Sequence, residues 1–211
     1  MGNLIGSIVV IVLAAYFLGN LNGAIIISGL LDKEDVRSRG SGNAGLTNYM
    51  RNYGVSKTGL VALIDLGKAV LACFMGGLLL NPYGLWIEGT MLAGVMVSLG
   101  HDFPAIQGFR GGKGILCGLG VALVADWRVG LLILGVFLVI VILTRYVSLG
   151  SVIAAFTLGV AFTVLHLENV WVCALGWVIA ILAIFMHRGN IKRLIAGNER
   201  KLSFGHKEEQ A

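Results

Sequence analysis

Apolar positions in this chain gather into seven runs, at about 4–30, 58–80, 87–100, 114–126, 129–144, 147–165 and 169–186. A helix that crosses a bilayer needs roughly 20 such residues, and the first, second, sixth and seventh runs meet that comfortably. The third and fourth are short, and they flank the glycine-rich stretch Gly108-Phe109-Arg110-Gly111-Gly112-Lys113-Gly114. Short, glycine-interrupted segments are expected where half-helices line a polar site. Only Arg145-Tyr146 separates the fifth run from the sixth. A single straight helix through both would far exceed the bilayer, so they read as two elements. The pattern predicts an all-α polytopic membrane protein with about seven transmembrane helices, two of them short, in a single domain over 1–211.

Composition agrees with that reading. Of the 211 residues 57% are hydrophobic and 13% charged, with mean hydropathy +0.87; a soluble domain carries roughly 25% charged residues. Thirty-one glycines suit helices that pack closely in lipid. The N-terminal Met1-Gly2-Asn3-Leu4 lacks a basic leader, so no cleavable signal peptide is expected. Cys73, Cys117 and Cys173 all lie in apolar runs and read as small buried hydrophobes.

Charge adds orientation. With seven spans, 14 of the 16 Lys and Arg residues fall on one side of the membrane; Arg128 alone faces the other, and Lys68 lies within the second run. Positive loops stay inside, which predicts the N-terminus outside and the C-terminus in the cytoplasm. Retention of positive loops and attraction to anionic lipid explain charge alone. They do not explain why the basic residues are interleaved with Gly, Asn, Ser and His in three segments.

The first segment is RGSGNAGLTNYMR at 39–51. Its glycines permit tight turns, Ser41, Asn43, Thr47 and Asn48 offer short polar groups, and Arg51 can fork onto a phosphate. The second is GHDFPAIQGFRGGKG at 100–114. It is no nucleotide-binding P-loop, since Gln107 and Gly114 break that pattern. Gly111, Gly112 and Gly114 nevertheless allow close backbone approach to an anion just before a helix N-terminus, with charge from Lys113 and Arg110. His101 reads either as a substrate ligand or as a structural interface residue. In the third, HRGNIKRLIAGNERK at 187–201, His187, Asn190 and Arg193 share one helical face. A histidine beside an Asn and an Arg suits a phosphate ligand or a proton carrier. Glu199 reads as the partner of a neighbouring Arg. Asp65 and Lys68, three apart inside the second run, read as an intramembrane salt bridge that supports the site. No zinc-protease, serine-hydrolase or histidine–carboxylate dyad pattern is encoded locally.

Together the three segments resemble those of the bacterial acyl-phosphate:glycerol-3-phosphate acyltransferases (the PlsY type). The first motif is carried by Gly40, Ser41, Asn43, Gly45, Thr47, Asn48 and Arg51. Gly100, His101, Phe103, Pro104 and the run Phe109 to Gly114 carry the second. The third is carried by His187, Arg188, Asn190, Ile191, Arg193, Leu194, Gly197 and Glu199. Leu46 and Cys117 depart from the usual residues, and neither change removes a charge. The resemblance implies transfer of a fatty acyl group from acyl phosphate to the sn-1 hydroxyl of glycerol 3-phosphate, the first acylation of phospholipid synthesis, in the bacterial inner membrane. It implies His187, Lys113, Ser41 and Arg51 as catalytic residues. Asn43, Thr47, Asn48, His101, Arg110, Gly111, Gly112, Gly114, Asn190 and Arg193 would bind substrate, with Asp65, Lys68 and Glu199 in support. Membrane lipid is the expected surrounding; no cofactor, metal or nucleic-acid partner is implied. The alternative from another class is a transporter or channel for phosphorylated metabolites.

Overall fold

The computed structural model describes residues 2–202. Lys207, counted above among the basic residues of one side, lies outside them. Helices account for every regular element among the described residues: α1 (Gly2–Gly19), α2 (Gly23–Ile27, continued by a π-helical turn to Asp32), α3 (Leu46–Tyr53), α4 (Thr58–Leu80), α5 (Trp86–Asp102), α6 (Ile115–Ala125), α7 (Trp127–Thr144), α8 (Val147–Leu165), α9 (Val170–Met186) and α10 (Arg188–Ile195). Each of the seven apolar runs is therefore helical. Three stretches are individually long and apolar enough to cross a membrane, and five are when α1–α2 and α9–α10 are each taken as one bent span. The 17 residues of α5 and the 11 of α6 fall short of that length.

Small residues set the packing. A methyl group on Gly76 of α4 would strike the Gly89 carbonyl of α5, and the reverse clash holds for Gly89. The α4–α5 crossing thus depends on bare backbone, as close helix contacts in lipid commonly do. The buried core includes Ile11, Met91, Val97, Val121 and Phe162. Apolar side chains also cover the outside, notably Leu131, Leu138, Val139, Ile142 and Leu143 of α7. That face is suited to hydrocarbon, not water.

The first apolar run is not one continuous helix. It breaks at residues 20–22 and turns by 41°. The sequence Gly19-Asn20-Leu21-Asn22-Gly23 supplies the break, and Asn22 caps α2 by accepting from the Ile25 amide at 3.0 Å. A break inside an apolar bundle frees backbone groups that need partners. Lys68 and Asp65 provide them. Lys68 Nζ donates to the carbonyls of Gly19 (3.0 Å) and Leu21 (2.7 Å), before and within the break. Asp65 Oδ1 accepts the Gly23 amide at 3.0 Å, at the start of the new helix. The two charges also pair with each other at 2.9 Å. The salt bridge expected from the sequence thus holds a broken helix together, and so fixes where the following polar loop leaves the bundle.

Candidate active site

One end of the bundle collects all three polar segments. Asn43 Nδ2 donates to the Gly111 carbonyl at 3.4 Å, joining the first segment to the second. Lys113 Nζ donates to Asn190 Oδ1, joining the second to the third. Arg51 Nη2 donates to the Arg200 carbonyl at 3.0 Å, and the Leu202 amide to the Arg145 carbonyl at 2.7 Å. The opposite end carries Arg128, which pairs with Asp126 at 2.6 Å.

A cavity opens at the junction. Its polar mouth is lined by Ser41, Asn43, Thr47, Arg51, Lys113, His187, Asn190 and Arg193, and an apolar arm runs inward between α6, α7, α8 and α9. Helix geometry puts the arm's depth at about 12–15 Å, from His187 to Ile179 on α9 and from Ser148 to Leu158 on α8. That depth is about half of a hydrocarbon core roughly 30 Å thick.

The mouth is an incompletely neutralised cation cluster. Glu199 is its one carboxylate, and it is heavily engaged. Oε1 accepts from Asn190 Nδ2 (2.7 Å) and Ser148 Oγ (2.8 Å), and Oε2 from Arg193 Nε (2.7 Å). Burial pushes the Glu199 pKa up, yet these three donors outweigh it and hold it below the usual carboxylate range. Arg51, Lys113 and Arg193 therefore face one negative charge, leaving two positive charges in excess. Burial, followed by the charge of Arg193, lowers Lys113 to about 8. His187 is buried, with Nδ1 2.8 Å from the Ala183 carbonyl. A carbonyl only accepts, so Nδ1 carries a proton; burial lowers the His187 pKa to about 4, and the neutral ring keeps a lone pair on Nε2.

The sequence profile of the glycerol-3-phosphate acyltransferase family matches residues 9–197. The chain belongs to that family. It is 39% identical over 195 residues to a glycerol-3-phosphate acyltransferase of Thermoanaerobacter pseudethanolicus, covering 92% of this chain and 94% of the relative. It is likewise 39% identical over 197 residues to that of Finegoldia magna, covering 92% and 96%. Among solved structures it resembles the glycerol 3-phosphate form of PlsY (YgiH), an integral membrane glycerol 3-phosphate acyltransferase. There the TM-score is 0.85 at 33% identity, covering 93% of this chain and 96% of the other. A lysophosphatidic acid form of the same protein matches with TM-score 0.81. The chain is thus an acyltransferase and an integral membrane protein.

Several expected ligands of this acyltransferase stand elsewhere than the sequence suggests. The amides of Gly111 and Gly112 do not face the cavity as free donors. They donate to the carbonyls of Asp102 (3.1 Å) and His101 (3.0 Å), closing a turn back onto the end of α5. A side chain at Gly112 would run into the His101 ring, so this glycine is required by packing. Gly114 differs: it begins α6 in the left-handed region at φ 67° and lines the cavity. The first-turn amides of that helix have no intrahelical acceptor, which keeps the expected anion-binding character at this one place.

Arg110 points away from the cavity. It lies in a separate surface groove with Asp35, Arg37 and Gln107, just after the turn where Gly108 and Phe109 take positive φ. Asn48 lines the cavity but spends its amide on the loop, donating to the carbonyls of Val36, Arg39 and Asn43 at 3.0–3.1 Å and accepting from Ser41 and Asn52. It shapes the first segment from within. His101 lines the cavity, is 4% exposed, and has Nδ1 2.8 Å from Lys68 Nζ and 3.4 Å from Asp65 Oδ1. Ser148, which holds Glu199, was invisible to motif reading: it is one serine in an apolar run, and no sequence signal distinguishes it.

Proposed function

We propose that the enzyme transfers a fatty acyl group from acyl phosphate to the sn-1 hydroxyl of glycerol 3-phosphate, releasing 1-acylglycerol 3-phosphate and inorganic phosphate. The observation that carries this reading is the cavity itself: an excess of cations at its mouth continues into an apolar arm of leaflet depth. The mouth suits two phosphates, the arm an alkyl chain. Two dianions ~6 Å apart at an effective dielectric of ~20 repel by about 10 kcal/mol. Lys113, Arg51 and Arg193 supply the counter-charge, with Asn43, Thr47 and Asn190 orienting polar groups beside them.

In the reaction, the sn-1 oxygen attacks the acyl carbonyl carbon and the bond from that carbon to the phosphate oxygen breaks. Phosphate departs, and the hydroxyl proton passes to His187 Nε2 or to the departing phosphate. Lys113 and the first-turn amides of α6 stabilise the negative charge that develops. Ser41 positions the attacking alcohol, and Glu199 holds Asn190 and Arg193 in place. Asp65 and Lys68 act at a distance, by fixing the broken helix. We place this end of the bundle at the cytoplasmic surface of the bacterial inner membrane, with the N-terminus outside, because the basic residues gather there. The whole chain acts as one integral-membrane acyltransferase domain.

Donor choice tests the proposal. Purified protein given labelled glycerol 3-phosphate should form lysophosphatidate with long-chain acyl phosphate and essentially none with acyl-CoA or acyl carrier protein. Efficient turnover with acyl-CoA would overturn the donor assignment.

A further inference from the structure

Gly118 is an anomaly among the glycines of the bundle. Every other buried glycine within a helix has a neighbour at 3.1 Å or nearer from where a Cβ would stand, so helix packing explains its size. A Cβ on Gly118 would meet only Ile179 Cγ2 at 3.8 Å and Leu158 Cδ1 at 3.9 Å, ordinary van der Waals distances. Glycine weakens a helix interior relative to alanine. At Gly118 no neighbouring helix demands that weakness.

The empty space belongs to the cavity. Gly118, Leu158 and Ile179 all line it, and Leu158 and Ile179 are its deepest residues on α8 and α9. Both are 2% exposed, so the arm closes there on a packed wall, with Ile133 of α7 beside it at 5%. Higher in the arm the lining on α8 and α9 is small: Ser151, Ala154, Ala155, Ala180 and Ala183. A straight alkyl chain entering from the mouth meets no large side chain of α8 or α9 until this layer.

We propose that Gly118, together with Leu158 and Ile179, sets the upper limit on acyl-chain length, with the missing side chain at 118 holding the space for the terminal carbons. This inference rests on the reading that the arm holds the acyl chain of the donor. Gly118 is a specificity-determining position and takes no part in bond making; it lies one helical turn beyond the loop that carries Lys113.

The test is a chain-length profile. kcat/KM is measured for a series of saturated acyl phosphates, short to long, in the wild type, Gly118→Ala and Leu158→Ala. Alanine favours the helix and its methyl has room, so Gly118→Ala folds. One carbon of pocket space discriminates by about tenfold or more. The ratio of kcat/KM for the longest to the shortest efficient donor should therefore fall about tenfold in Gly118→Ala and rise in Leu158→Ala. The KM for glycerol 3-phosphate should stay unchanged in both. An unaltered profile in an active Gly118→Ala enzyme overturns the proposal, whatever Leu158→Ala does. Wild-type protein inactive with acyl phosphate of every length is a different result: it removes the donor assignment, and the length limit with it.

Discussion

Two clusters of charge lie within this molecule, and they are built on opposite terms. Asp65, Lys68 and His101 are each at most 5% exposed and satisfy one another and the backbone of a broken helix. Lys113, Arg193, Arg51 and Glu199 sit at the cavity mouth with more positive than negative charge and with donors left over. The closed cluster reaches the cavity only at its edge, through Asp65 and His101, and its main worth is in the geometry it enforces. The open cluster has unmet demand, and only an anion from outside can supply it. The sequence shows charged residues in both places, and satisfaction, not charge, separates support from chemistry.

The largest effect should come from opening the closed cluster. Lys68→Met leaves Asp65 buried without its cation and two backbone carbonyls without a donor. Removing one partner of a buried pair costs about 3–5 kcal/mol. Thermal unfolding in detergent should show a large loss of stability, with activity falling in step. Unchanged stability would place Lys68 outside the scaffold.

Next comes Lys113→Ala, in the open cluster. Removing one group that stabilises developing charge typically costs 10²–10³ in rate, and a loss of about that size in kcat/KM is expected. Unfolding temperature should stay near the wild-type value. A parallel loss of both would erase the contrast between the clusters.

A smaller effect follows from pH. Lys113 titrates at about 8, so its charge is present below that pH and is lost as pH rises through it. The rate should decline about tenfold per unit above that point, and Lys113→Arg, which stays charged, should flatten that limb. Smallest of all is Arg110→Ala. Because Arg110 sits in the outer groove, its kcat/KM should remain within about twofold of wild type, measured at fixed ionic strength.

Much of this was legible in the sequence. All seven apolar runs became helices, since hydrophobic length is a strong local signal, and the three polar segments meet because each sits at an end of such a run. Asp65–Lys68 was legible because two charges in an apolar run demand each other. What local reading could not see was direction and expenditure. Gly111 and Gly112 looked like a phosphate cradle because glycine permits close approach, but their amides close a turn onto α5. Arg110 and Lys113 are three residues apart with the same charge, but between them Gly111 and Gly112 tie the chain back onto α5, and the two side chains reach different surfaces. Asn48 lines the cavity as expected, but its side chain is also the internal tie of its loop. Ser148 and Gly118 matter only through partners far along the chain, Glu199, Leu158 and Ile179.

The central claim is that the cavity mouth holds two phosphates at once, so that acyl transfer is direct. Initial velocities measured with acyl phosphate and glycerol 3-phosphate both varied test it most directly. Direct transfer within one complex predicts intersecting reciprocal plots. Parallel plots, the mark of a covalent acyl-enzyme, would mean that one phosphate leaves before the other binds, and would contradict the account.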